Sequence, residues 1–533
     1  MSNLKSSRMA TAAVVVMSSM VLSRFTGFIR ETMLSWKVGL SWVQDAYVAA
    51  FTVPDLMYML LVGGTISAAL VPFLSGSIEK GEEAEGWKAA SSFINTVFIG
   101  MILICVLGIL FAPQIIPVVA PGFSQQSTQT RELAVILMRI LFPSVSFIML
   151  AGICNGVLNS NRKFAAAAFG PSFYNIGCGL SIYLFADTNP ESMIKVAIGV
   201  AVSAMLYFLM QLIFVFPDIR RYKPVIDFKD TGFHMLFLQA VPSLLSSSVT
   251  QLNVIISTAF VSLSTIEGSL AAFRNANTTW QLPYGIFAMG IGTAMLPSLS
   301  GKYATGEYED YKKLMMKSLT SVLFLSVPSA LAFILLREPL VRAIFIWGGR
   351  FNEENVSLVA TILAFFSAAM ISQSIVAILN RAFYARLDTK TPLMTGIGSI
   401  LMNLCLGLIF HCFTDLGAAG MALSYSIIST VNSIVLMILL HIKMNGIHAA
   451  KLIEFFRCAV PSVLTMGVAL VILELLPVRL DTKISQLAYL ALEIMTGASV
   501  YIIMMLVMKS EEALYFYGVL KQRFNRKKPL NNA

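Results

Sequence analysis

Charge is scarce in this chain, and its scarcity argues against a soluble protein. Of 533 residues only 12% are charged and 57% are hydrophobic, with a mean hydropathy of +0.77, whereas soluble domains carry roughly 25% charged residues. The composition predicts an all-α polytopic membrane protein. The apolar run from Met9 continues through residues 23–27 without a small-residue cleavage site, so we expect the first helix to be retained.

Histidine and cysteine are also scarce, which argues against common metal and redox sites. The four histidines form no zinc-binding pair at helical spacing, and the six cysteines lack CxxC spacing and are expected to be small buried hydrophobes. No HExxH, P-loop, GxSxG or paired Asp-rich motif is found. We therefore predict a transporter rather than an enzyme, with no cofactor or metal. Without an ATP site, uphill transport must draw on an ion gradient or on voltage.

Long apolar runs dominate instead, and at about 20 residues per crossing they predict about fourteen transmembrane helices. Basic residues recur in alternate connections, which places both termini in the cytoplasm. Arg337, Arg342 and Arg350 are the exception, so the connection between the ninth and tenth segments is where we expect a topology error. The predicted segments are 9–36, 46–77, 88–118, 131–158, 164–186, 192–216, 234–263, 268–299, 314–336, 355–384, 393–413, 417–443, 455–477 and 484–508.

An internal repeat divides the chain. Residues 72–75 (PFLS) and 81–82 (GE) recur in the second half as 297–300 (PSLS) and 306–307 (GE), and both motifs are shifted by the same amount, the repeat offset. Because this offset spans six helices, an even number, both halves enter the bilayer in the same direction, related by a pseudo-two-fold axis along the membrane normal. The predicted parts are two six-helix lobes at 1–220 and 221–450, two further helices at 451–510, and a basic cytoplasmic tail at 511–533. Anionic lipid, rather than nucleic acid, is the expected neighbour of that tail.

Charged residues inside the predicted helices carry the functional information. Arg24, Arg30 and Glu31 lie in the first segment, and Arg274 lies in the eighth. A charge at mid-bilayer costs about 2.5 to 3.5 kcal/mol on insertion scales, so such residues usually face a bundle interior or a wet cavity. Arginine offers a planar fork of donors for carboxylate or phosphate oxygens, and we predict an anion site. The alternatives are that Arg30 pairs with Glu31 or reaches the interface, and that Arg274 anchors a helix end.

Further polar and helix-bending residues accompany these charges. Asp55 is a candidate ion-pair partner for a resting arginine, while Asp45 either shares that role or caps a helix. A lone asparagine in a membrane helix is more often an interhelical contact than a ligand. The candidate cavity-lining residues are Ser23, Asn175, Asn253 and Asn277. The candidate bends are Gly27, Pro54 and Pro283.

The chain resembles the MurJ (MviN) lipid II flippases of the MOP (multidrug/oligosaccharidyl-lipid/polysaccharide) exporter superfamily from end to end. The most specific match is residues 381–392 (RAFYARLDTKTP). The other matching stretches are residues 22–31 (LSRFTGFIRE), 45–46 (DA), 120–123 (APGF), 158–159 (LN), 162–164 (RKF), Pro171, Asn175, Arg274, Pro283, Gly285, Gly290 and 297–300.

The resemblance implies a substrate and a mechanism. The substrate is lipid II, undecaprenyl-pyrophosphate carrying the peptidoglycan disaccharide-pentapeptide, moved from the cytoplasmic to the outer leaflet of the bacterial inner membrane by alternating access. Two lobes enclose a cationic cavity, and helices thirteen and fourteen form a groove for the polyprenyl tail. By position, Arg24, Arg30 and Arg274 hold the pyrophosphate, with Glu31 and Asp45 as pairing or gating partners. We expect a monomer in contact with membrane lipids, with a monovalent counter-ion as a candidate partner.

Departures from the family pattern keep alternatives open. The places where helix two of the family carries basic residues and an acid hold Tyr58, Met59 and Gly63 here, and Phe273 replaces an acidic neighbour of Arg274. The cavity is thus less charged. A flippase for another lipid-linked glycan would use the same physics, a MATE-type antiporter would want carboxylates in the first lobe, and a non-transporting scaffold would tolerate loss of the arginines.

Overall fold

The chain is helical throughout the part that its structure, a computed structural model, describes: residues 2–60, 66, 69–476, 478 and 482–526. All regular elements in these residues are helices, which confirms the all-α prediction. Ten of them are long and apolar enough to cross a membrane. Each predicted segment overlaps one or two helices of the described part of the chain, while residues 61–65, 67 and 68 of the second segment and residue 477 of the thirteenth lie outside it. The total of fourteen crossings stays a prediction.

The described residues form two compact units: the first half of the chain lies in the first unit, and the second half contributes to both. The first unit comprises the described residues of Met1–Thr278, together with Gly348–Asn355 and Ile400–Met421. Its helices are α1 (Ser2–Val38), α2 (Trp42–Tyr58), α3 (Val71–Lys80), α4 (Glu83–Leu110), α5 (Ala112–Val119), α6 (Gly122–Gln126), α7 (Thr128–Ser160), α8 (Phe164–Ala168), α9 (Gly170–Phe185), α10 (Pro190–Val215), a 3-10 turn (Ile219–Arg221), α11 (Thr231–Ser262) and the start of α12 (Ser269–Ala304).

Helix α7 lies at the centre of the first unit, where α2, α4 and α10 pack against it. Its Leu137, Met138 and Leu141 are fully buried. Helix α4 turns large aliphatic side chains such as Leu103 and Leu110 outward, as expected of a surface that meets lipid rather than water. The expectation that all cysteines are buried is wrong for Cys405 and Cys412, which are exposed; they lie on an apolar helix, where lipid can cover them.

The second unit comprises Thr279–Trp347, Val356–Ser399 and the described residues of Ala422–Ala533. It is built around α13, which packs against α18, and α18 in turn packs against α19. The Tyr311 hydroxyl donates a 2.6 Å hydrogen bond to the Ala382 carbonyl and joins α13 to α15. Its helices are the rest of α12, α13 (Tyr308–Leu335), α14 (Arg337–Phe345), α15 (Glu353–Ala385), α16 (Lys390–Phe413), α17 (Gly417–Lys443), α18 (Ala449–Glu474), α19 (Lys483–Val507) and α20 (Glu511–Arg526), where α15, α16 and α17 also extend into the first unit.

The sequence repeat coincides with repeated turn geometry. Gly81 and Gly306 end their helices in the left-handed conformation, with φ of 79° and 77°. Glycine is suited to this position because it lacks the Cβ that makes positive φ unfavourable. Arg162 and Leu387, which are separated by the same repeat offset, adopt φ of 60° and 59° at the next repeated turn. The two halves of the chain therefore share local structure as well as sequence.

Beside that second turn, each unit carries an ion pair at equivalent positions with the charges exchanged. Lys163 Nζ lies 2.7 Å from Asp218 Oδ2 in the first unit. The positions one repeat offset later hold Asp388 and Lys443, whose carboxylate oxygen and Nζ are 2.6 Å apart in the second unit. Each pair ties the turn between two helices to a helix end.

The basic residues that broke the topology pattern are engaged locally. Arg342 Nη2 lies 3.4 Å from a Glu338 carboxylate oxygen. Arg350 Nη2 lies 2.9 Å from Asp187 Oδ1, and its Nη1 donates a 2.5 Å hydrogen bond to the Thr188 hydroxyl. Acidic and polar neighbours thus offset the unusual charge of this connection.

Candidate functional site

Helix α1 of the first unit presents an arginine and a glutamate side by side. Arg30 Nη2 lies 2.6 Å from Glu31 Oε1, with 16% and 10% of the two side chains exposed. Both charges lie within an apolar helix, so each needs a partner to offset its loss of water. The structure therefore contains the ion pair between Arg30 and Glu31, which was one of the interpretations that the sequence left open.

Arg274 of α12 reaches the same carboxylate. Its Nη2 donates to Glu31 Oε1 at 3.0 Å and its Nε donates to Glu31 Oε2 at 3.2 Å. This is the two-pronged geometry in which a guanidinium grips a carboxylate most strongly. The Phe51 ring lies 5.7 Å from the Arg274 Cζ atom, close enough for a cation–π contact. Arg274 is thus a partly buried member of the cluster, paired with Glu31.

Asn175 of α9 fixes the other side of Arg30. Its Oδ1 accepts a 3.1 Å hydrogen bond from Arg30 Nη1, and its Nδ2 donates to the Ser23 carbonyl at 3.2 Å. The amide thereby spans nearly two turns of α1. Gly27 lies between these contacts, where a Cβ would come 3.4 Å from Asn175 Nδ2, and α1 is one continuous helix through it. A hinge at Gly27 stays a prediction.

Asp45 caps α12, the helix that carries Arg274. Its two carboxylate oxygens accept hydrogen bonds of 2.9 Å from the backbone N–H groups of Gly268 and Ala271. A carboxylate at a helix N-terminus satisfies otherwise unpaired N–H groups and the positive end of the helix dipole. The sequence suggested either an ion-pair role or a helix cap for Asp45, and its direct contacts are those of a cap. The helix that it caps is α12, whereas Asp45 itself lies on α2. Asp45 therefore fixes the start of α12 relative to α2.

A polar layer that the sequence predictions missed lies one helical turn beyond Glu31. The Ser35 hydroxyl donates to Asn275 Oδ1 at 2.8 Å and accepts from Gln44 Nε2 at 2.9 Å, and all three residues are at most 2% exposed. Ser35 follows Glu31 by four residues and Asn275 follows Arg274 by one, so this layer joins α1, α2 and α12 directly behind the cluster. The i, i+4 spacing of Glu31 and Ser35 was the available signal.

Two of the remaining predicted residues lie near the cluster. Arg24 is exposed and precedes Glu31 by seven residues, which places it on the same face of α1 about 10 Å away along the axis. Asp55 of α2 is close enough to Arg274 and Arg30 to attract them electrostatically. The cluster therefore has an exposed cation, Arg24, about two helical turns away along α1, and a second acid, Asp55, beside it.

The other predicted residues differ in their relation to the cluster. Asn277 lies one turn beyond Arg274 on α12 and is half-buried. Asn253 makes its contacts elsewhere: its side-chain Nδ2 donates to the Val249 backbone carbonyl in its own helix, and its backbone carbonyl accepts from Asn403 Nδ2 at 3.2 Å. Pro54 lies inside α2 and Pro283 inside α12.

The anion held by the two arginines in this structure is an internal one, the Glu31 carboxylate. Two guanidinium groups share a single carboxylate, so together they carry one more positive than negative charge. Their donors are preorganised by Asn175, by the Phe51 ring and by the polar layer behind them. Guanidinium forks suit phosphate and carboxylate oxygens alike, and in this structure the Glu31 carboxylate occupies those of Arg30 and Arg274.

A family model decides the classification. The model described as "Lipid II flippase MurJ" matches residues 35–493, most of the chain. The chain belongs to the lipid II flippase MurJ family. This confirms the sequence resemblance and, since the family is one of flippases, the prediction of a transporter rather than an enzyme.

Curated relatives match over most of their length. A protein of Buchnera aphidicola named "Probable lipid II flippase MurJ" is 28% identical over 501 residues, covering 93% of this chain and 97% of its own. A protein of Burkholderia cenocepacia named "Lipid II flippase MurJ" is 29% identical over 446 residues, covering 82% of this chain and 84% of its own. The MurJ-family assignment thus extends across both halves of the repeat.

Solved structures share the fold. One described as "Lipid II flippase MurJ, inward closed conformation" superposes with a TM-score of 0.78 at 24% identity, covering 95% of this chain and all of that one. An inward-facing multidrug resistance MATE family transporter of the MOP superfamily superposes with a TM-score of 0.65 at 17% identity, covering 81% of this chain and 98% of that one. The fold of this MurJ-family chain is therefore that of MOP-superfamily transporters.

Proposed function

We propose that this chain translocates lipid II across the bacterial inner membrane, from the cytoplasmic to the outer leaflet, by alternating access. The observation that carries the proposal is the pair of arginines that share Glu31. A pyrophosphate offers several charged oxygens, so it can engage two guanidinium forks at once, whereas one carboxylate must divide its two oxygens between them. Exchange of Glu31 for pyrophosphate, and back again, gives a binding step and a release step.

Each residue of the site then has a role. Arg24 is the first exposed contact, and Arg30 and Arg274 hold the pyrophosphate. Glu31 is the internal competitor, Asp55 tunes the net charge, and Asp45 couples the site to the start of α12. The polar residues Ser23, Asn175, Asn253 and Asn277 line the path, and the bends are Gly27, Pro54 and Pro283.

The architecture proposed with this function follows the repeat. Lobes at residues 1–220 and 221–450 alternate in access, and both termini are cytoplasmic. Residues 451–510 hold the polyprenyl tail, a role supported by a stripe of exposed apolar side chains on α18 (Leu464, Val468 and Ile472), which recur every four residues along one helix face. The basic tail at 511–533 lies against anionic lipid. The protein acts as a monomer, with a monovalent counter-ion as coupling partner.

Complementation tests the proposal. Cells depleted of their own lipid II flippase are supplied with this chain, and the exposure of lipid II at the outer leaflet is measured. We expect growth and exposure to recover with the parent chain, and to fail with Arg274→Ala although that variant still inserts. The matched control is Arg220→Ala, which removes an exposed arginine from a connection and should complement.

Failure of the parent chain to restore exposed lipid II would refute this substrate. Recovery of another lipid-linked glycan would then identify the alternative flippase, and export of organic cations would identify a MATE-type antiporter. Full complementation by Arg274→Ala would refute the role of the arginines and favour a scaffold.

A further inference from the structure

The second unit contains a membrane arginine with no acidic partner among the described residues. Arg381 lies on α15, one turn before the helix ends at Ala385, and is half-buried. Its Nη1 donates to the Ala377 carbonyl at 3.0 Å, and its Nη2 lies 3.4 Å from the Thr293 hydroxyl and 3.5 Å from the Met289 sulfur. These neutral partners contrast with the Glu31 carboxylate, which pairs with Arg30 and Arg274 in the first unit.

Space for this guanidinium is provided by a glycine on α12. A Cβ at Gly292 would lie 2.8 Å from Arg381 Cδ and Nε and 3.0 Å from Cζ, which is closer than side-chain carbons approach one another. Any larger residue at position 292 would force the arginine to move. The Arg381 side chain therefore packs directly against α12 at Gly292 and is not a loose surface side chain.

The repeat shows that helix packing does not require an arginine here. The position one repeat offset before Arg381 is Gly156, where a Cβ would come 2.9 Å from Ile66 Cγ2 and 3.3 Å from Leu70 Cδ2. The first half thus forms the equivalent helix contact from a glycine and aliphatic side chains. In the second half the glycine of this contact, Gly292, lies on the opposite helix of the pair, and the cation Arg381 stands where the first half has Gly156.

The surroundings of Arg381 suit an exchangeable anion. The phenol groups of Tyr284 and Tyr384 are close enough to interact with it electrostatically, and the thioether of Met289 is only a weak acceptor. A phosphate oxygen would replace these contacts with charge-assisted hydrogen bonds, which are roughly twice as strong. Because five residues of helix cover about 7.5 Å, Arg381 lies about that far from the basic turn that begins at Arg386.

We propose that Arg381 is a second anion contact, which takes the diphosphate of the lipid substrate near the cytoplasmic end of the second unit. The inference rests on the proposed function and extends it. Phosphate is the chemistry that the guanidinium fork recognises, and it is also found in ordinary phospholipid headgroups. The test therefore compares a lipid diphosphate with a bulk phospholipid.

Titration of the purified full-length protein provides the test. The probes are undecaprenyl diphosphate and, separately, dioleoyl phosphatidylglycerol, with binding followed by native mass spectrometry. We expect Arg381→Met to weaken undecaprenyl diphosphate about tenfold, the equivalent of one charge-assisted hydrogen bond, and to leave phosphatidylglycerol unchanged. Arg381→Lys should lose less, since it keeps the charge but not the fork. Lys390→Met, which removes an exposed cation beyond the same helix end, should bind like the parent chain.

A second variant covers the case in which Arg381→Met fails to fold. Gly292→Ala keeps every charge but displaces the guanidinium, and it should weaken undecaprenyl diphosphate in the same way. Unchanged diphosphate binding in both variants would overturn the proposal, as would a loss confined to phosphatidylglycerol. If the parent chain restores growth of the depleted cells but Arg381→Met binds undecaprenyl diphosphate normally, only the role of Arg381 is refuted. A parent chain that fails to complement but binds the diphosphate through Arg381 would refute only lipid II as substrate.

Discussion

Glu31 gives the sharpest test of how the arginine cluster handles an anion. Its carboxylate accepts hydrogen bonds from Arg30 at 2.6 Å and from Arg274 at 3.0 and 3.2 Å. A phosphate that binds the same guanidinium groups must first displace it. Glu31→Gln removes the negative charge, keeps the shape of the side chain and leaves one acceptor oxygen.

The expected magnitude follows from these contacts. A hydrogen bond to a charged group contributes about 1.5–3 kcal/mol. Removing competition of that size raises the affinity for a phosphate ligand about ten- to a hundredfold, since about 1.4 kcal/mol is a factor of ten. The unliganded protein loses stability at the same time, because the two guanidinium groups no longer share a counter-charge. Breaking a fully buried pair costs about 3–5 kcal/mol, and the partial exposure of these side chains, 10–23%, lowers our expectation to about 2 kcal/mol.

Two measurements on purified protein check this reasoning: the affinity for undecaprenyl diphosphate and the melting temperature. We expect Glu31→Gln to bind more tightly and to melt earlier than the parent chain. The control is Glu79→Gln, since Glu79 pairs with Arg162 at 2.5 Å on the surface with 64% of its side chain exposed, and it should change neither quantity. Weaker or equal binding together with a lower melting temperature would refute the competition and leave Glu31 only the role of holding the arginines in place.

Three smaller perturbations test other parts of the structure. Asp45→Ala should destabilise the start of α12 by about 1–2 kcal/mol and speed its amide exchange, whereas Asp45→Asn should lose less because its amide oxygen can still accept one of the two N–H bonds; equal effects would argue against capping. Lys163→Asp and Asp218→Lys should each cost less than about 1 kcal/mol and the double variant should recover it; additive losses in melting temperature would contradict the pairing. Burial acts to raise the pKa of Asp388, but hydrogen bonds, chiefly from Lys443, outweigh it and lower that pKa below its usual value. The melting-temperature difference between Asp388→Asn and the parent should therefore stay constant at neutral pH and shrink as the pH falls below about 4; a difference that vanished near neutral pH would contradict this assignment.

Much of the fold follows from the sequence because hydrocarbon leaves the chain few options. Unpaired backbone groups are so costly in lipid that each long apolar run becomes a helix. The repeat was legible because Gly81 and Gly306 occupy turns that favour a residue without a Cβ. The compact units were not predicted: α11 and the start of α12 group with the first, and this grouping depends on long-range packing that local patterns do not encode.

The sequence identified the charged residues of the site but did not predict which of them pair with each other. Arg30, Glu31 and Arg274 stood out because hydrocarbon penalises charge. Spacing along α1 identified Glu31 as a neighbour of Arg30, but no local signal connected it to Arg274, 243 residues away. Ser35 was missed because its i, i+4 spacing from Glu31 is a weak signal without its partners on other helices, Gln44 and Asn275.

The exchanged ion pairs bear on how the two halves sort themselves during biogenesis. If both halves carried lysine at the turn and aspartate at the helix end, either turn would attract either end. Because Lys163 faces Asp218 while Asp388 faces Lys443, a crossed assembly sets like charges against each other and is repelled. The Lys163→Asp, Asp218→Lys chain makes both halves alike, so it should yield fewer correctly folded molecules from the ribosome, although those that fold keep their stability.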